Sequence, residues 1–302
     1  MRKFIFSVLL ILIGINSALC QTEPSSFLFM LSGAGSRAAA MGEAFTAVSG
    51  DAGAPYFNPA SAALMQYTEL SLMHVSYLTD ATMEHFSALT KSGNARLGLA
   101  LYLGQTADFE RRGTIPTDEP LGTFDEHNFT ASILWAYPIN GRISLGLAPK
   151  WAYQKLDLES AAAFAADIGT FYTMKPEIAF GIAIRNLGTK PKFVDKAFDL
   201  PREFRIGASY RPSPESGFKG LLVAADYLLP HWGNQSGKLN IGSEYIYQDL
   251  FSLRAGYGIG YDSWGFAIGG GILYTNYFFD YAYVPSNNDL SDTHRLTLRI
   301  RL

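Results

Sequence analysis

Cysteine and charge are both scarce in this chain. Cys20 is the only cysteine among 302 residues, and Asp, Glu, Lys and Arg together make up 17% of them, against about 25% in an average globular protein. A disulfide framework is excluded, because a single thiol has no partner within the chain. The 24 basic and 27 acidic residues give a formal net charge of −3. This balance lacks the basic excess of nucleic-acid-binding proteins, so no nucleic-acid partner is expected.

Long apolar runs occur only at the N-terminus. Residues 4–15 are almost continuously apolar, a basic pair precedes them, and small residues lead up to Cys20. This three-part pattern predicts a secretory signal peptide over residues 1–20, with an apolar core too short to cross a bilayer comfortably. No later segment reaches the roughly 18 consecutive apolar residues that a membrane helix requires. We therefore expect an exported protein.

Sequence motifs of catalysis and metal binding are missing as well. The five histidines are widely separated, and no two have the close spacing of a zinc motif. Residues 256–260 imitate half of a phosphate loop, but no helix pattern follows them, so we interpret these glycines as closely packed strand residues. The sequence predicts no catalytic residues, no metal site and no cofactor. A barrel-fold enzyme stays an alternative, because catalytic triads assemble in space and can be invisible in sequence.

Apolar and polar residues alternate through most of the chain after residue 67. In residues 295–302 an aliphatic side chain occupies every even position, and Arg or Thr every odd one. Successive side chains of a strand point to opposite faces, so each such segment has one apolar face. Turn signals such as Asn140-Gly141 separate the segments. The pattern predicts about fourteen strands, centred near Leu72, Phe86, Leu99, Ile133, Leu147, Thr170, Ile182, Ile206, Val223, Ile241, Leu253, Ile268, Phe279 and Leu298.

Two all-β architectures explain this alternation. A soluble sandwich buries the apolar faces between two sheets, whereas an outer-membrane barrel turns them toward lipid and its polar faces toward the lumen. The predicted signal peptide favours the barrel, as do aromatic residues near the strand ends. These aromatics are Trp135, Tyr137, Trp151, Tyr153, Tyr245, Tyr247, Tyr257, Tyr261 and Trp264. We predict an all-β fold, a transmembrane antiparallel β-barrel over residues 68–302, with long connections at 105–125, 155–163, 187–201 and 285–293.

The barrel interpretation assigns a set of charged side chains to the lumen. Their mixed signs favour mutual pairing over a ring of one sign, which ion selectivity requires. An arginine introduced at lumen-facing Thr297 is expected to be tolerated better than one at lipid-facing Leu298. The predicted lumen-facing charges are Arg96, Lys150, Asp167, Arg185, Arg205, Asp226, Glu244, Arg254, Asp280, Arg295, Arg299 and Arg301.

The segment at residues 21–67 does not alternate and is rich in Ala, Gly and Ser. Small residues permit close approach to another backbone, and Asn58-Pro59 is a turn initiator. We predict that this segment, the hatch, folds inside the barrel as a plug. The predicted organisation is therefore a signal peptide (1–20), a hatch (21–67) and a barrel (68–302).

The chain resembles the PorV/PorQ family, which is part of the FadL-like group of barrels. The resemblance lies in residues 37–45 with Asp51 and 58–60, in 150–156 with 166–169, and in 280–285 with 292–295. It therefore spans nearly all of the chain after the signal peptide. The hatch motif that it defines consists of Arg37, Met41, Gly42, Asp51, Asn58, Pro59 and Ala60.

This resemblance implies a fourteen-stranded barrel with an N-terminal hatch, in contact with outer-membrane lipid. PorV-type members of Bacteroidetes-type bacteria serve type IX secretion, with the translocon and exported cargo proteins as partners, and this is the function we predict. The alternative is that of FadL-type members, which pass hydrophobic small molecules through a hatch-controlled lumen and a side opening. The chain departs from the family pattern in ending on Leu302, where an aromatic residue is usual.

Overall fold

The computed structural model describes residues 25–77, 81–114, 118–233, 235–287 and 292–302. The predicted signal peptide and the first four residues of the hatch lie outside these ranges. The described chain consists of an N-terminal segment of short helices followed by a closed antiparallel barrel of fourteen strands. The predicted all-β barrel with fourteen strands is confirmed.

Within its described residues, 25–67, the hatch contains four short helices and no long one. They are the 3₁₀ helix η1 (Leu28–Leu31), the α-helix α1 (Ser36–Ala40), and the 3₁₀ helices η2 (Ala54–Tyr56) and η3 (Pro59–Leu64). A further 3₁₀ turn, η4 (Pro214–Ser216), lies in a connection between barrel strands. Within the described residues, no helix is both long and apolar enough to cross a membrane.

Each barrel strand contains one of the predicted strand centres. The strands are β1 (Glu69–Tyr77), β2 (Ala81–Ser92), β3 (Ala95–Arg111), β4 (Gly122–Pro138), β5 (Ile143–Leu156), β6 (Glu159–Lys175), β7 (Ile178–Gly188), β10 (Glu203–Tyr210), β11 (Leu221–Pro230), β12 (Lys238–Tyr247), β13 (Phe251–Ile259), β14 (Phe266–Tyr274), β15 (Tyr277–Val284) and β16 (Thr293–Arg301). Neighbouring strands pair in chain order, and β1 pairs with β16 to close the barrel. A separate two-stranded sheet, β8 (Lys192–Phe193) with β9 (Lys196–Ala197), lies between β7 and β10.

The two ends of the barrel differ in the length of their connections. At the turn end, most strands are joined by two to four residues, and β1 begins and β16 ends there. At the loop end, the connections include 112–121, 189–202, 231–237 and 285–292. In outer-membrane barrels the short turns face the periplasm and the longer loops face outward.

Two of the predicted long connections are in fact strand. The structure continues β3 to Arg111 and starts β4 at Gly122, which leaves only residues 112–121 between them. At the predicted connection 155–163, β5 and β6 are joined by two residues. These hairpin tips extend beyond the apolar part of the barrel, where both faces meet water, so their sequences lose the alternation that reveals a strand.

The outward face of the barrel is apolar and the inward face is polar. In β13, Leu253 is 69% exposed, whereas the adjacent Arg254 is 5% exposed. The same alternation along β5, β6 and β16 turns Leu147, Ile168 and Leu296 outward. An outward apolar face is the arrangement that lipid requires and the reverse of a soluble sandwich.

An arginine at outward-facing Leu298, in the middle of β16, should impair assembly. Placing it in the hydrocarbon region costs about 2–4 kcal/mol near the midplane. Leu158→Arg is the matched control, because Leu158 is exposed in the two-residue turn between β5 and β6. We expect much less folded Leu298→Arg than Leu158→Arg in outer membranes, measured as the heat-modifiable band on cold gels. Equal folded amounts would refute the assigned facing of β16.

Candidate functional site

The hatch spans the lumen and touches opposite walls of the barrel. Ala40, Met41, Phe45 and Phe57 are completely buried. Helix α1 packs against β13–β16, and η3 packs against β3–β6 on the other side of the lumen. The segment 25–67 thus lies between opposite walls of the barrel.

Glycines on the inward face of the wall let the hatch backbone approach closely. A side chain at Gly256 of β13 would collide with the backbone of Gly42, and one at Gly169 of β6 would collide with Asn58 Oδ1. The glycine pattern at 256–260 therefore begins at a contact between two backbones.

The Asn-Pro-Ala part of the hatch motif starts η3 and joins it to the wall. Asn58 Oδ1 accepts a hydrogen bond from the Ala60 N–H at 3.0 Å, which caps the first turn. Asn58 Nδ2 donates to the carbonyl oxygens of Thr46 in the hatch and Thr170 in β6, at 2.9 and 3.1 Å. Pro59 follows as the first helical residue, where its missing N–H costs nothing.

The other hatch-motif residues form the bend between α1 and η2. Met41 ends α1, and Gly42 adopts a left-handed φ of +60° against β12 and β13. Asp51 Oδ1 accepts hydrogen bonds from the N–H groups of Gly53 and Ala54, while its Oδ2 pairs with Arg37 at 2.8 Å. Of the hatch-motif residues, Asn58 thus contacts β6 and Gly42 contacts β12 and β13, whereas Asp51 binds other groups of the hatch.

One buried ion-pair network joins the hatch to β1, β12, β13, β15 and β16. At its centre, Arg37 contacts Asp51 at 2.8 Å and Glu244 of β12 at 2.7 Å. Glu244 also binds Arg254, and the chain of contacts continues through the wall to the turn end. We call this set the Arg37 network; it comprises Arg37, Asp51, Glu69, Glu244, Arg254, Asp280, Arg299 and Arg301.

A second network lies on β5, β6, β7, β10 and β11. Arg205 Nη2 lies 3.0 Å from Asp226 Oδ2 and 2.8 Å from the Glu43 carbonyl oxygen of the hatch. Asp226 Oδ2 also accepts from the Thr46 N–H and hydroxyl, at 2.8 and 2.6 Å. This Arg205 network comprises Lys150, Asp167, Arg185, Glu203, Arg205 and Asp226.

Both networks are electrically balanced. The Arg37 network holds four arginines and four carboxylates, and the Arg205 network holds three basic and three acidic residues. Burying a charge is tolerable only when it is paired and hydrogen-bonded. The described lumen therefore carries no ring of charged side chains of a single sign.

The remaining two predicted lumen charges hold other parts of the hatch. Arg96 Nε donates to the Met65 carbonyl oxygen at 2.6 Å. Arg295 Nη1 donates to the Ser32 carbonyl oxygen at 3.0 Å and lies 3.7 Å from Glu43. The structure thus places all twelve predicted lumen charges on the inward side, each in contact with the hatch or with another charge.

Sequence reasoning missed three carboxylates that complete these pairs. Glu203 lies two residues before Arg205 in β10, so both side chains point to the inward side of the strand. Alternation could therefore have identified Glu203. Glu69 begins β1, where the alternation is mixed, and Glu43 lies in the non-alternating hatch. No signal in the sequence marks Glu69 or Glu43 as a carboxylate that pairs inside the lumen.

Electrostatic interactions in the hatch favour the charged forms of Asp51 and Arg37. Burial raises the pKa of the Asp51 carboxyl, but Arg37 and Arg299 beside it outweigh that effect and hold its pKa below the ordinary value. Burial likewise lowers the pKa of Arg37, but Glu244 and Asp51 outweigh it and leave the pKa raised. Within the described ranges, no group of three or more His, Cys, Asp or Glu is placed to hold a metal ion.

Thr297 faces inward, as predicted, but lies against the hatch rather than an open lumen. Its side-chain oxygen accepts a hydrogen bond from the Ser36 N–H at 2.8 Å and contacts the Ser36 hydroxyl at 2.7 Å. An arginine there would collide with the start of α1. The comparison with an arginine at Leu298 stays a prediction, now with the hatch rather than open lumen beside Thr297.

Two cavities follow each other from the loop end inward. The first, the vestibule, has a volume of about 540 Å³ and is lined largely by polar and aromatic residues, including Glu43, Glu126, Asn128, Tyr261 and Trp264. Tyr261 and Trp264, predicted for the aromatic belt, therefore line the interior. The second, the inner cavity, has a volume of about 70 Å³ and a mainly apolar lining that includes Tyr56, His85, Thr130, Leu134 and Ala148.

Phe29 and Tyr102 separate the two cavities, because both rings line each of them. Phe29 belongs to η1 of the hatch and Tyr102 to β3, and their rings stack with centroids 5.5 Å apart and planes at 25°. A molecule passing from the vestibule to the inner cavity must displace or pass this aromatic pair.

The wall beside the inner cavity is locally unpaired. Strands β4 and β5 pair up to Ser132 and Lys150 and resume at Trp135 and Leu147, leaving Ile133 and Leu134 opposite Ala148 and Pro149 without partners in this ladder. Pro149 has no N–H to donate, and proline is otherwise confined to edges and bulges of sheets. We call this interruption the Pro149 seam; Leu134 and Ala148 border both it and the inner cavity.

Removing one partner from the centre of the Arg37 network should destabilise the barrel strongly. Arg37→Met leaves Asp51 without its principal cation inside the lumen, and loss of one partner from a buried pair costs about 3–5 kcal/mol. The matched control is Arg111→Met, which removes an exposed pair with Asp157 whose contribution is about 0–1 kcal/mol. The free energy of unfolding in liposomes, from urea titration, provides the comparison, and similar losses in both variants would contradict a locked hatch.

The chain is similar in fold to solved outer-membrane channels. It matches the Pseudomonas putida toluene transporter TodX with a TM-score of 0.67 at 13% identity, over 93% of this chain and 99% of TodX. It matches the CymD monoaromatic hydrocarbon channel with a TM-score of 0.63 at 15% identity, over 90% and 97%. A Pseudomonas aeruginosa FadL homologue gives a TM-score of 0.57 at 11% identity, over 88% and 97%. At such identities these matches establish the fold, that of FadL-type barrels.

The family is established by sequence. Comparison with curated proteins gives no significant match, and the solved neighbours described above are channels, transporters or their homologues, with no PorV/PorQ member among them. A family model matches residues 17–212, well over half of the chain. The chain therefore belongs to the uncharacterised protein family UPF0164, and its fold is a FadL-type fourteen-stranded barrel.

Proposed function

We propose that this protein conducts small hydrophobic molecules across the outer membrane through a lumen that its hatch controls. The observation that carries the proposal is the pair of cavities in series, in which a vestibule of polar and aromatic residues leads past Phe29 and Tyr102 to a mainly apolar inner cavity. The fold neighbours that transport toluene and conduct monoaromatic hydrocarbons support the same class of solute. This function is the alternative that the sequence offered beside secretion.

The route that we propose leaves the lumen sideways rather than through the hatch. Going straight on, an apolar solute would have to part the hatch from the Arg37 and Arg205 networks, which would expose paired charges to an apolar molecule. The Pro149 seam offers a way out beside the inner cavity, where Leu134 and Ala148 form the border. A solute leaving there would enter lipid, the medium that it prefers.

The proposed location follows from the outward apolar face and the predicted signal peptide. We propose that the chain is exported and resides in the outer membrane, with its loop end outward and lipid around its apolar face. The type IX secretion role, with a translocon and cargo as partners, stays a prediction from the PorV/PorQ resemblance. The comparisons favour the conduit over that role.

Filling the inner cavity should block transport. Ala100 of β3 faces this cavity, and Ala100→Leu adds three carbon atoms to it. The matched control is Ala255→Leu on the outward side of β13, which makes the same chemical change away from both cavities. In Gram-negative cells that lack their own hydrocarbon channel, we expect the unaltered chain to accelerate uptake of radiolabelled toluene. Ala100→Leu should reduce that uptake several-fold at equal folded amounts, and Ala255→Leu should leave it unchanged.

Two results would count against the conduit. Toluene uptake in cells that contain the folded, unaltered chain could equal that of cells without it, in which case the chain is no channel for this solute. Alternatively, Ala100→Leu and Ala255→Leu could transport equally well, in which case the solute does not pass through the inner cavity.

A further inference from the structure

His85 is a buried histidine for which the structure shows no hydrogen-bond partner among the described residues. It lies on the inward face of β2, is 5% exposed and lines the inner cavity. Its described aromatic neighbour is Tyr56 of the hatch, with ring centroids 6.3 Å apart at 88°. By contrast, the outward-facing His74 and His294 have partners in Glu84 and Tyr281. A histidine ring that lines a cavity and has no protein partner can hydrogen-bond with a molecule that enters the cavity.

Most other polar groups around the inner cavity are already engaged. Ser87 donates to the Ala52 carbonyl oxygen, and Lys150 binds Asp167. The Tyr56 hydroxyl donates to the Met30 carbonyl oxygen and accepts from the Gly33 N–H. The His85 ring is therefore available to a molecule inside the cavity.

A hydroxyl group without a hydrogen-bond partner lies in the same row of paired strand residues as His85. Thr130 of β4 lines the cavity, and its buried hydroxyl has no hydrogen-bond partner in the structure. His85 and Thr130 are both directly opposite Tyr102 in the strand pairing, one on each side of it. Because neighbouring strands lie about 4.8 Å apart, both groups lie within reach of a ring-sized molecule placed against Tyr102.

The size of the cavity and the position of Phe29 indicate the shape of that molecule. At about 70 Å³, the cavity has roughly half the volume of a cavity of about 150 Å³ that holds benzene. Phe29 forms one wall, half-buried, with its ring stacked on Tyr102. If the Phe29 ring moves toward the vestibule, a phenyl-sized space opens against Tyr102 and beside His85.

We propose that the inner cavity binds a single-ring aromatic alcohol, for which phenol is the simplest example. The ligand ring takes the place of the Phe29 ring against Tyr102, and the ligand hydroxyl hydrogen-bonds with a ring nitrogen of His85. This inference rests on the proposed conduit and narrows its solute class from hydrocarbons in general to rings that carry one hydrogen-bonding group.

The test compares phenol with toluene, which differ by a hydroxyl in place of a methyl group. Affinities are measured by calorimetry on the full chain in nanodiscs, with empty nanodiscs subtracted. In His85→Leu the ratio of phenol affinity to toluene affinity should fall about three- to tenfold, the equivalent of one net hydrogen bond. His85→Gln, which retains a hydrogen-bonding group, should keep most of that ratio. His127→Leu, at an exposed position of β4, is the matched control and should leave it unchanged.

A measurement on the unaltered chain guards against misfolding of the variants. With ¹⁵N-labelled histidine, phenol should shift the ring-nitrogen resonance that is missing from His85→Gln, and toluene should shift it far less. An unchanged affinity ratio in folded His85→Leu, or equal shifts with both probes, would overturn the inference. If toluene still binds in that case, the conduit stands and only the alcohol preference is lost. If neither probe binds the unaltered chain, the conduit for single-ring solutes fails as well.

Discussion

Buried charge on the inner wall of the barrel governs the rest of the structure. The inward faces of β12, β13, β15 and β16 carry ionised side chains that no longer have bulk water around them, and each needs an opposite charge within hydrogen-bonding distance. Arg37 of the hatch joins this set by binding Asp51 and Glu244 at once. On the other wall, Asp226 binds both Arg205 and the hatch at Thr46. The hatch therefore stays inside the barrel as part of a neutral, hydrogen-bonded assembly, since withdrawing it would leave several groups buried without partners.

The small residues of the sequence make this assembly geometrically possible. Where the wall carries glycine, as at Gly146 and Gly256, the hatch backbone lies directly against the strand. The interior is consequently filled over much of its cross-section, and the space that remains includes the vestibule, the inner cavity and, toward the turn end beside the Arg37 network, a further cavity of about 690 Å³. The inner cavity borders the Pro149 seam, at one of the few places where the wall is not held by a continuous ladder. The chain thus combines a hatch held by ion pairs with an interruption in the β4–β5 ladder beside the inner cavity.

Fourteen strands could be predicted from the sequence because lipid and lumen impose period-two alternation on every strand. The same parity identified the lumen charges, but it could not identify their partners: Arg37 and Glu244 are 207 positions apart, and only the closed barrel brings them together. Alternation also indicates which way a side chain points but not what occupies that side, so the contact of Thr297 with Ser36 of the hatch could not be predicted. His85 carried no signal at all, because a lone histidine in an alternating strand looks the same with or without a partner.

The closure of the barrel by β1 and β16 constrains the order in which the molecule can assemble. The hatch directly precedes β1, and β1 has a strand on both sides in the finished wall. Glu244, the wall carboxylate that binds Arg37, lies on β12, and the charges that continue the network from it lie on β13, β15 and β16, in the last part of the chain to be delivered. The hatch must therefore remain without its final partners through most of biogenesis. It must already lie inside the barrel when β1 and β16 pair. A factor that holds an N-terminal segment soluble until the C-terminal strand arrives would act at this step, and the hydrogen bond from the Leu302 N–H to the Thr68 carbonyl oxygen marks its completion.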